Sequence, residues 1–369
     1  MIAGFAALLL ASAAALTPQS ASAQVPAPSF EQISQEAQKA RDAYRDDDAI
    51  RLFQQGLTLN PDWDEGLWYL ATMFYEKERF SEARDLLRHF LAQNPKHGPG
   101  WGLLGLSEYK THEYERALQH FQRAREFGLE NRQELANAVF YHEAVLFIRF
   151  EQFHDGLLLL YQMRGAGVAQ DSLEEPAGLA ALGYPLLPEE VPVQRWPLVR
   201  LAGAGTFALM DQRRADAEVL FRKMVQEYPQ EPGVHYQFGL LLMDDQPAEG
   251  VQEMQKELAI SPSHVPARLR LAEYYLAQSQ PEKAQPYLDE VINLEPKNAT
   301  VHLLLGETRA KSGDTAGAIR ELELANELTP QRPKVLWDLL RAYQAAGREA
   351  DVDRVRAEIQ KLNQAEPAK

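Results

Sequence analysis

The sequence predicts an all-α fold in which a helical hairpin repeats along a solenoid, and two observations carry that prediction. Prolines recur at intervals of 34 residues, at Pro61 and Pro95 and again at Pro262, Pro296 and Pro330. Small residues keep the same phase, most of them twelve positions upstream of these prolines, at Ala49, Ala83, Ala117, Ala284 and Ala318. A 34-residue period is typical of a two-helix unit, which must stack on others because it cannot bury both of its faces.

Each unit is expected to contain two amphipathic helices that approach closely at a small residue in each, such as Gly105 and Ala117. Large apolar residues four positions away, such as Trp101 and Phe121, are expected to fill the space between one hairpin and the next. The proline ends the second helix, because it has no N–H to donate and its ring clashes with the preceding turn.

Composition excludes several classes of function. The 369 residues carry 38 basic and 53 acidic side chains, a formal net charge of −15. This acidity argues against a nucleic-acid or anionic-membrane partner, since either needs a basic surface. Hydrophobic residues make up 45% of the chain, too many for a disordered protein. The absence of cysteine excludes disulfides, thiol catalysis, a cysteine-linked lipid anchor and cysteine-ligated metals.

The repeated residues resemble the tetratricopeptide repeat family, whose pattern is W-x2-L-G-x2-Y, then A-x3-F, then P. The unit at 98–131 has Glu108 in place of the tyrosine and Leu129 in place of the proline. It matches the family at Trp101, Leu104, Gly105, Ala117 and Phe121. No single copy is complete, but successive copies stay in phase. The resemblance implies a tetratricopeptide solenoid.

The pattern predicts about nine hairpins in two blocks. A block of four units spans 30–164 and a block of five units spans 198–362. The units are 30–63, 64–97, 98–131, 132–164, 198–230, 232–264, 265–298, 299–332 and 333–362. The fourth unit is degenerate, since Gly156 replaces the usual alanine. The second helix of the ninth unit is polar, as expected for a cap that faces solvent.

Residues 165–197 break the phase between the two blocks. This segment contains four glycines and five prolines, a density that predicts no regular helix beyond a short turn around 179–182. We interpret it as a connector. Two alternatives stay open for it: a long loop packed over the solenoid, or a hinge or partner-binding loop, since loops this long are uncommon without a use.

The sequence predicts no enzyme, no cofactor and no metal site. The nine histidines form no H-E-x-x-H motif, because His142-Glu143 is followed by no second histidine at the required position. No phosphate-binding loop and no G-x-S-x-G nucleophile turn occurs. His235 and His302 each hold the fourth position of a unit, where a packing residue is expected. Adjacent carboxylates, such as Glu189-Glu190, are interpreted as solvated.

The resemblance also implies a concave groove lined by positions 2, 5, 9, 12 and 13 of the first helix of each unit. On this chain those positions are mostly aromatic and aliphatic, the types enriched at protein-binding hot spots. The candidate partner-binding residues are Trp68, Thr72, Tyr75, Leu106, Tyr109 and Lys110 in the first block and Leu209, Met210, Tyr236, Leu240 and Met243 in the second. The alternative is that some of these rings pack against the next unit.

These features predict a non-enzymatic scaffold that binds protein or peptide partners in its groove. No unit has the Lys/Asn/Lys/Arg set with which cytosolic chaperone-binding members of the family hold a terminal carboxylate, so an acidic C-terminal peptide is not the expected ligand. The alternative function is a glycan- or cell-wall-binding module, because groove aromatics also stack on sugars. Neither a nucleic-acid partner nor a membrane span in the mature chain is expected.

Residues 1–23 are predicted to be a signal peptide. Residues 1–16 are almost wholly apolar, and Ala21 and Ala23 occupy positions −3 and −1 of a cleavage site before Gln24. Residues 24–29 are then a linker and 363–369 a disordered tail. The chain is similar to exported bacterial members of the family, so a periplasmic or secreted protein is expected. An uncleaved membrane anchor is the alternative, because no Lys or Arg precedes the apolar run.

Overall fold

The computed structural model describes residues 28–129 and 132–365, and every regular element in these ranges is helical. The chain divides into two compact units between Lys96 and His97. The first unit holds α1 to α4, at Phe30–Asp42, Asp46–Leu59, Asp64–Glu76 and Phe80–Gln93. The predicted signal peptide, most of the predicted linker and the last four residues lie outside the described ranges.

The second unit holds α5 to α19. Their bounds are Gly98–Lys110, Tyr114–Phe127, Gln133–Arg149, Phe153–Gly165, Glu174–Leu182, Trp196–Met210, Arg214–Glu227, Val234–Leu242, Pro247–Ile260, Val265–Ala277, Pro281–Leu294, Ala299–Lys311, Thr315–Leu328, Pro333–Ala345 and Glu349–Ala365. Consecutive helices pair as hairpins, with α9 as an additional helix between the fourth and fifth pairs. The predicted all-α fold of repeated hairpins is confirmed.

Within the described residues, a residue in the left-handed conformation forms the turn inside eight of the nine hairpins. These residues are Tyr44, Glu78, His112, Glu151, Gln212, Ser279, Gly313 and Gly347. The residue that follows donates its N–H to a carbonyl five positions back, as Arg45 does to Ala40 at 2.9 Å. This Schellman arrangement satisfies carbonyl groups that the end of a helix leaves free. The turns of the first three hairpins are 34 residues apart, so the repeat sets the backbone conformation even where the residue is not glycine.

Within a hairpin, a small residue of the first helix receives a large side chain of the second helix, sixteen positions later. An added Cβ at Gly105 would lie 2.7 Å from Cδ1 of Phe121, and one at Gly306 would lie 2.6 Å from Cγ of Leu322. Phe121 is fully buried. The predicted close approach at the small positions is confirmed, and it leaves no room for a side chain there.

The prediction that residues 165–197 contain no regular helix is wrong, because α9 lies within them. Pro176 stands in its first turn, where a helix needs no N–H donor. Gly178 stands where α9 meets α10, and a Cβ there would lie 1.8 Å from the carbonyl oxygen of Val199. A proline is therefore tolerated at position 176, in the first turn of the helix. A glycine is required at position 178, because α10 leaves no room there for a side chain.

Helix α9 belongs to a hydrophobic core that continues from α7 to α12. Buried side chains from each of these helices contribute to that core, among them Ile148, Leu160, Leu179, Leu198, Phe221 and Phe238. The segment 165–197 is thus packed into the second unit and does not separate two cores.

The last helix has the character of a cap. Its buried side chains, Val352, Val355 and Ile359, contact the core formed with α17 and α18. Its other face carries ion pairs one turn apart, such as Arg356 with Asp353 at 2.9 Å. The helix continues to Ala365, so residues 363–365, predicted as the start of a disordered tail, are helical.

Helix α7 carries a carboxyl group inside the protein. Glu143 is 0% exposed, and Nε of Arg125 lies 3.4 Å from one of its oxygens. Burial raises the pKa of Glu143 to about 7, and the Arg125 guanidinium only partly opposes that rise. The charged form of this side chain is therefore destabilised in the folded protein.

Substitution at the small positions tests the helix packing. We expect Gly105→Leu and Gly306→Leu each to lower the free energy of unfolding by about 1–3 kcal/mol, because the new side chain must displace Phe121 or Leu322. Gly165→Leu is the matched control, since no atom lies within 4 Å of a Cβ added at this exposed end of α8. Urea denaturation of the purified variants measures the change. Equal midpoints for all four proteins would show that the helices do not meet at these glycines.

Glu143→Gln is expected to change how stability depends on pH. The pKa of Glu143 is raised from 4.5 to about 7 on folding, so the unfolding free energy of the wild type falls as pH rises through this window. The variant lacks this loss. Its stability relative to the wild type should therefore grow by about 1–3 kcal/mol between about pH 5 and about pH 8.

Urea denaturation at the two pH values measures this change, with the exposed Glu134→Gln on the same helix as control. A difference between Glu143→Gln and the wild type that stays constant with pH contradicts the raised pKa. The other titrating groups are common to both proteins, so their contributions cancel in the comparison.

Candidate functional site

Helix α3 carries three of the predicted groove residues, and all three are half-buried. They are Trp68, Thr72 and Tyr75. The Trp68 ring lies 5.5 Å from that of Phe90, and the Tyr75 ring lies 5.3 Å from that of Phe80. Both phenylalanines belong to α4, the second helix of the same hairpin. These rings therefore pack within their own hairpin, and only part of each surface is left for a partner.

Helix α5 places the next three predicted residues near its end. Leu106 is 3% exposed and Tyr109 is 5% exposed, so the expectation that they line an open groove is wrong. Lys110 is exposed. The Tyr109 hydroxyl donates a hydrogen bond of 2.9 Å to Glu189, which lies in the segment between α9 and α10. A part of the chain 80 residues further on therefore covers this side chain.

An open cleft lies on the first helices of the fifth, sixth and seventh hairpins. Its volume is about 530 Å³. It is lined by Leu209, Arg214, Leu240, Leu241, Met243, Asp244, Arg270, Glu273, Tyr274 and Ala277. Three of the predicted groove residues, Leu209, Leu240 and Met243, are thus brought together at one surface, which we call the apolar cleft.

The ends of three first helices form the apolar cleft. Leu209 lies in the last turn of α10, Leu240 lies near the end of α12, and Tyr274 lies in the last turn of α14. Helix α12 has nine residues, whereas α14 has 13. Among the described hairpins, the one that begins with α12 is the hairpin whose turn lacks a left-handed residue. Met243, directly after the shortened helix, lines the cleft. A local departure from the repeat therefore shapes this site.

Charged residues at the edge of the apolar cleft are paired with one another. Arg270 lies 2.9 Å from Glu273, and Arg214 lies 2.7 Å from Asp245. Arg214 also donates a hydrogen bond to the carbonyl of Leu241. The side chains available to a ligand in the cleft are therefore mainly the apolar ones, because the charged side chains at its edge are already paired with each other.

The other two predicted residues of the second block, Met210 and Tyr236, do not line the apolar cleft. Both are half-buried. The Tyr236 ring lies 4.7 Å from that of His264, and burial raises the pKa of the Tyr236 hydroxyl. Tyr236 therefore packs against a neighbouring side chain, which was the alternative to an open groove position.

Sequence reasoning did not single out a second cleft, between α16 and α18. Its volume is also about 530 Å³, and its floor contains Gly306, Ala318 and Leu322. Charged side chains surround it, namely Glu307, Lys311, Lys334, Asp338 and Arg341. Four of them hold positions 2, 9 or 13 of their units, so the rule that selected the other candidates would have found them. Arg341 pairs with Asp338, and Lys334 lies 2.5 Å from Glu307.

Two buried histidines have the same structural role in different hairpins. Each directs Nδ1 toward a glutamate of the second helix and Nε2 toward the carbonyl of a proline six positions upstream. The sets are His235 with Glu253 at 2.5 Å and Pro229 at 3.0 Å, and His302 with Glu321 at 2.8 Å and Pro296 at 3.0 Å. The predicted packing role of these histidines is confirmed, and they tie the two helices of a hairpin to the preceding turn.

His97 and His264 serve as helix caps, and each accepts a hydrogen bond at Nδ1 from a backbone N–H of the helix it precedes. Within residues 28–129 and 132–365, no group of three acidic or histidine side chains is placed to hold a metal ion. In the same ranges, no helix is both long and apolar enough to cross a bilayer.

Two family models, both described as tetratricopeptide repeat, match the sequence. One matches residues 35–98 and 70–131, and the other matches residues 241–308 and 275–342. Together these matches include more than half of the chain. None of the curated proteins compared with the sequence matches it.

Solved structures of MamA are among those similar to this chain. MamA from Desulfovibrio magneticus RS-1, residue 41 to the end, is 19% identical with a TM-score of 0.41, over 46% of this chain and 97% of that one. A double mutant titled MamA RS-1 ArsTM is 19% identical with a TM-score of 0.43, over 46% and 95%. MamA AMB-1 is 21% identical with a TM-score of 0.39, over 44% and 96%.

Proposed function

This chain belongs to the tetratricopeptide repeat family, and we propose that it is a non-catalytic scaffold that holds protein or peptide partners in the apolar cleft. The observation that carries the proposal is the convergence of Leu209, from the fifth hairpin, with Leu240 and Met243, from the sixth, at one open surface. Leucine and methionine side chains adapt to apolar groups of a partner, and methionine is enriched at interfaces.

The lining of the apolar cleft favours a peptide over a sugar. Tyr274 is the one aromatic residue among those that line it, whereas a sugar site needs ring faces on which to stack. Its volume of about 530 Å³ lies in the range of small-ligand sites and accommodates a few side chains of an extended segment. The paired rim charges disfavour a strongly charged ligand, because such a ligand would have to break Arg270 from Glu273.

The double substitution Leu240→Ser with Met243→Ser is expected to weaken partner binding about tenfold or more, because it removes two apolar anchors from the centre of the cleft. A photo-crosslinking residue in place of Met243 first captures the partner from native envelope material, and titration with the purified partner then gives Kd. Val219→Ser is the matched control, since Val219 is exposed on a second helix, α11.

Far-ultraviolet circular dichroism checks that both variants keep their helices. A folded double variant that binds the captured partner as tightly as the wild type rules out this cleft as the binding site. Binding of purified cell-wall glycan, with no protein captured, supports the alternative glycan-binding function.

We also propose that the protein acts outside the cytoplasm, in the periplasm or the secreted space. The support is the sequence of residues 1–23, an apolar run followed by the small residues that a signal peptidase accepts. A scaffold of this kind would hold components of an envelope assembly or export complex.

N-terminal sequencing of the cell-associated protein tests the location, and the mature chain is expected to begin at Gln24 in the fraction outside the cytoplasm. Ala23→Tyr should block cleavage, because the peptidase takes only small residues at that position. Recovery of intact Met1 from the cytosol contradicts the export proposal. Intact Met1 in the membrane fraction supports the uncleaved anchor instead.

A further inference from the structure

The segment between α9 and α10 has the form of a bound peptide. Helix α9 ends at Leu182, Gly183 turns the chain with φ of 68°, and residues 184–191 follow with the sequence Y-P-L-L-P-E-E-V. We call residues 184–191 the acidic loop. A short 3₁₀ turn at Pro188–Glu190 is held by the Glu190 carboxylate, which accepts a hydrogen bond of 3.0 Å from the N–H of Leu187.

The acidic loop contacts α5 and α7, the first helices of the third and fourth hairpins, through hydrogen-bond donors on the helices and acceptors on the loop. On α5, Tyr109 donates to the Glu189 carboxylate at 2.9 Å. On α7, Arg149 donates to the carbonyl of Pro185 at 2.7 Å and lies 3.3 Å from the Glu190 carboxylate. The helices supply every donor in these contacts and the loop supplies every acceptor, as expected for a receptor and an acidic ligand.

Apolar side chains of the acidic loop are buried as well. Leu187 is 1% exposed and Val191 is 7% exposed, although neither belongs to a helix of the repeat. Beneath the loop, the Tyr109 ring lies 4.5 Å from that of His142, nearly edge-on. Burial, with added repulsion from Glu175 and Glu189, raises the pKa of the neighbouring Tyr141 to about 12. Tyr109 and His142 thus lie under the loop, and the partly exposed Arg149 lies beside them at its edge.

The two ends of the acidic loop are fixed independently of these contacts. Upstream, α9 meets α10 so closely that a Cβ added at Gly203 would lie 1.9 Å from the carbonyl oxygen of Glu174. Downstream, Arg195 lies 3.3 Å from Glu231. The part of the loop that makes the contacts with α5 and α7 is therefore residues 185–190, between these fixed ends.

We propose that the acidic loop is an intramolecular ligand, and that the surface of α5 and α7 beneath it is a second peptide-binding site, separate from the apolar cleft. The partner that fits this surface is an extended segment of another protein with the same chemistry: an apolar residue, a proline and two consecutive carboxylates. Such a partner takes over the hydrogen bond from Tyr109 and the ion pair with Arg149. The site is closed in the free protein and opens when the loop is displaced.

Tethering explains why the site is closed. A segment linked to its receptor at both ends has an effective concentration of the order of millimolar at the receptor surface. A free peptide that makes the same contacts cannot displace the loop at micromolar concentration. A natural partner must therefore make additional contacts outside the seat.

A fluorescent peptide with the sequence of residues 183–192 is the probe for the test. In the receptor variant, residues 185–190 of the full chain are replaced by Gly-Ser-Gly-Ser-Gly-Ser, which keeps the loop length and leaves α9 and α10 unchanged. Fluorescence anisotropy is expected to show binding to this variant at peptide concentrations at least about tenfold below those needed with the wild type. Arg149→Ala in the receptor variant, and Glu189→Gln with Glu190→Gln in the peptide, should each weaken binding about tenfold or more.

A folded receptor variant that binds the peptide no better than the wild type, or that binds a scrambled peptide equally well, overturns the proposal. If the receptor variant does not fold, hydrogen exchange on the full-length Arg149→Met protein decides instead. The amides of Leu187 and Val191 should then exchange about tenfold faster or more than in the wild type, while those of α10 stay unchanged. Unchanged exchange in the loop shows that Arg149 does not hold it as a ligand.

Discussion

The close approach of two helices at a small residue is the interaction on which the remainder of the fold depends. Where Gly105 faces Phe121 and Gly306 faces Leu322, the large ring or branched side chain occupies the volume that the missing Cβ leaves. This contact sets the distance between the helices, and the turn of left-handed conformation at the end of the first helix sets their direction. Since both recur with the repeat, equivalent positions of successive first helices come to the same surface. At the apolar cleft the ends of three such helices meet, and the shortened α12 gives the cleft its local form.

Helix α9 shows the same contact used outside the repeat. Gly178 and Gly203 let α9 and α10 approach until backbone meets backbone, a distance that no residue with a side chain allows. The helix is thereby held in the core of the second unit, and the acidic loop that follows is delivered to α5 and α7. In the second unit, α9 and the acidic loop thus cover the first helix of a hairpin at Tyr109, whereas the surface at Leu240 stays open.

Some of the buried polar side chains tie the two helices of a hairpin together. His235 and His302 each form hydrogen bonds with a glutamate side chain and with a proline carbonyl, in the same geometry. The same buried hydrogen-bonded group therefore occurs in two of the repeated hairpins. Glu143 differs from them, because it has only Arg125 at 3.4 Å to offset the cost of burying its charge. Because burial raises the pKa of the Glu143 carboxyl, this side chain makes stability depend on pH.

The sequence by itself determined the helical hairpins, their number and their period, because small residues, turn residues and prolines act over a few positions of the chain and successive units repeat them in phase. It also selected Leu209, Leu240 and Met243, through the groove positions that the family resemblance implies, and these three residues line the apolar cleft. Only the tertiary structure decided which of the selected residues are accessible. Tyr109 holds a groove position by spacing, yet Glu189, 80 residues away, covers it. It also decided that Pro176 and Gly178 lie within a helix, because what one element tolerates depends on the element packed against it. Local pattern fixes where a side chain points, and exposure depends on distant segments that the pattern does not describe.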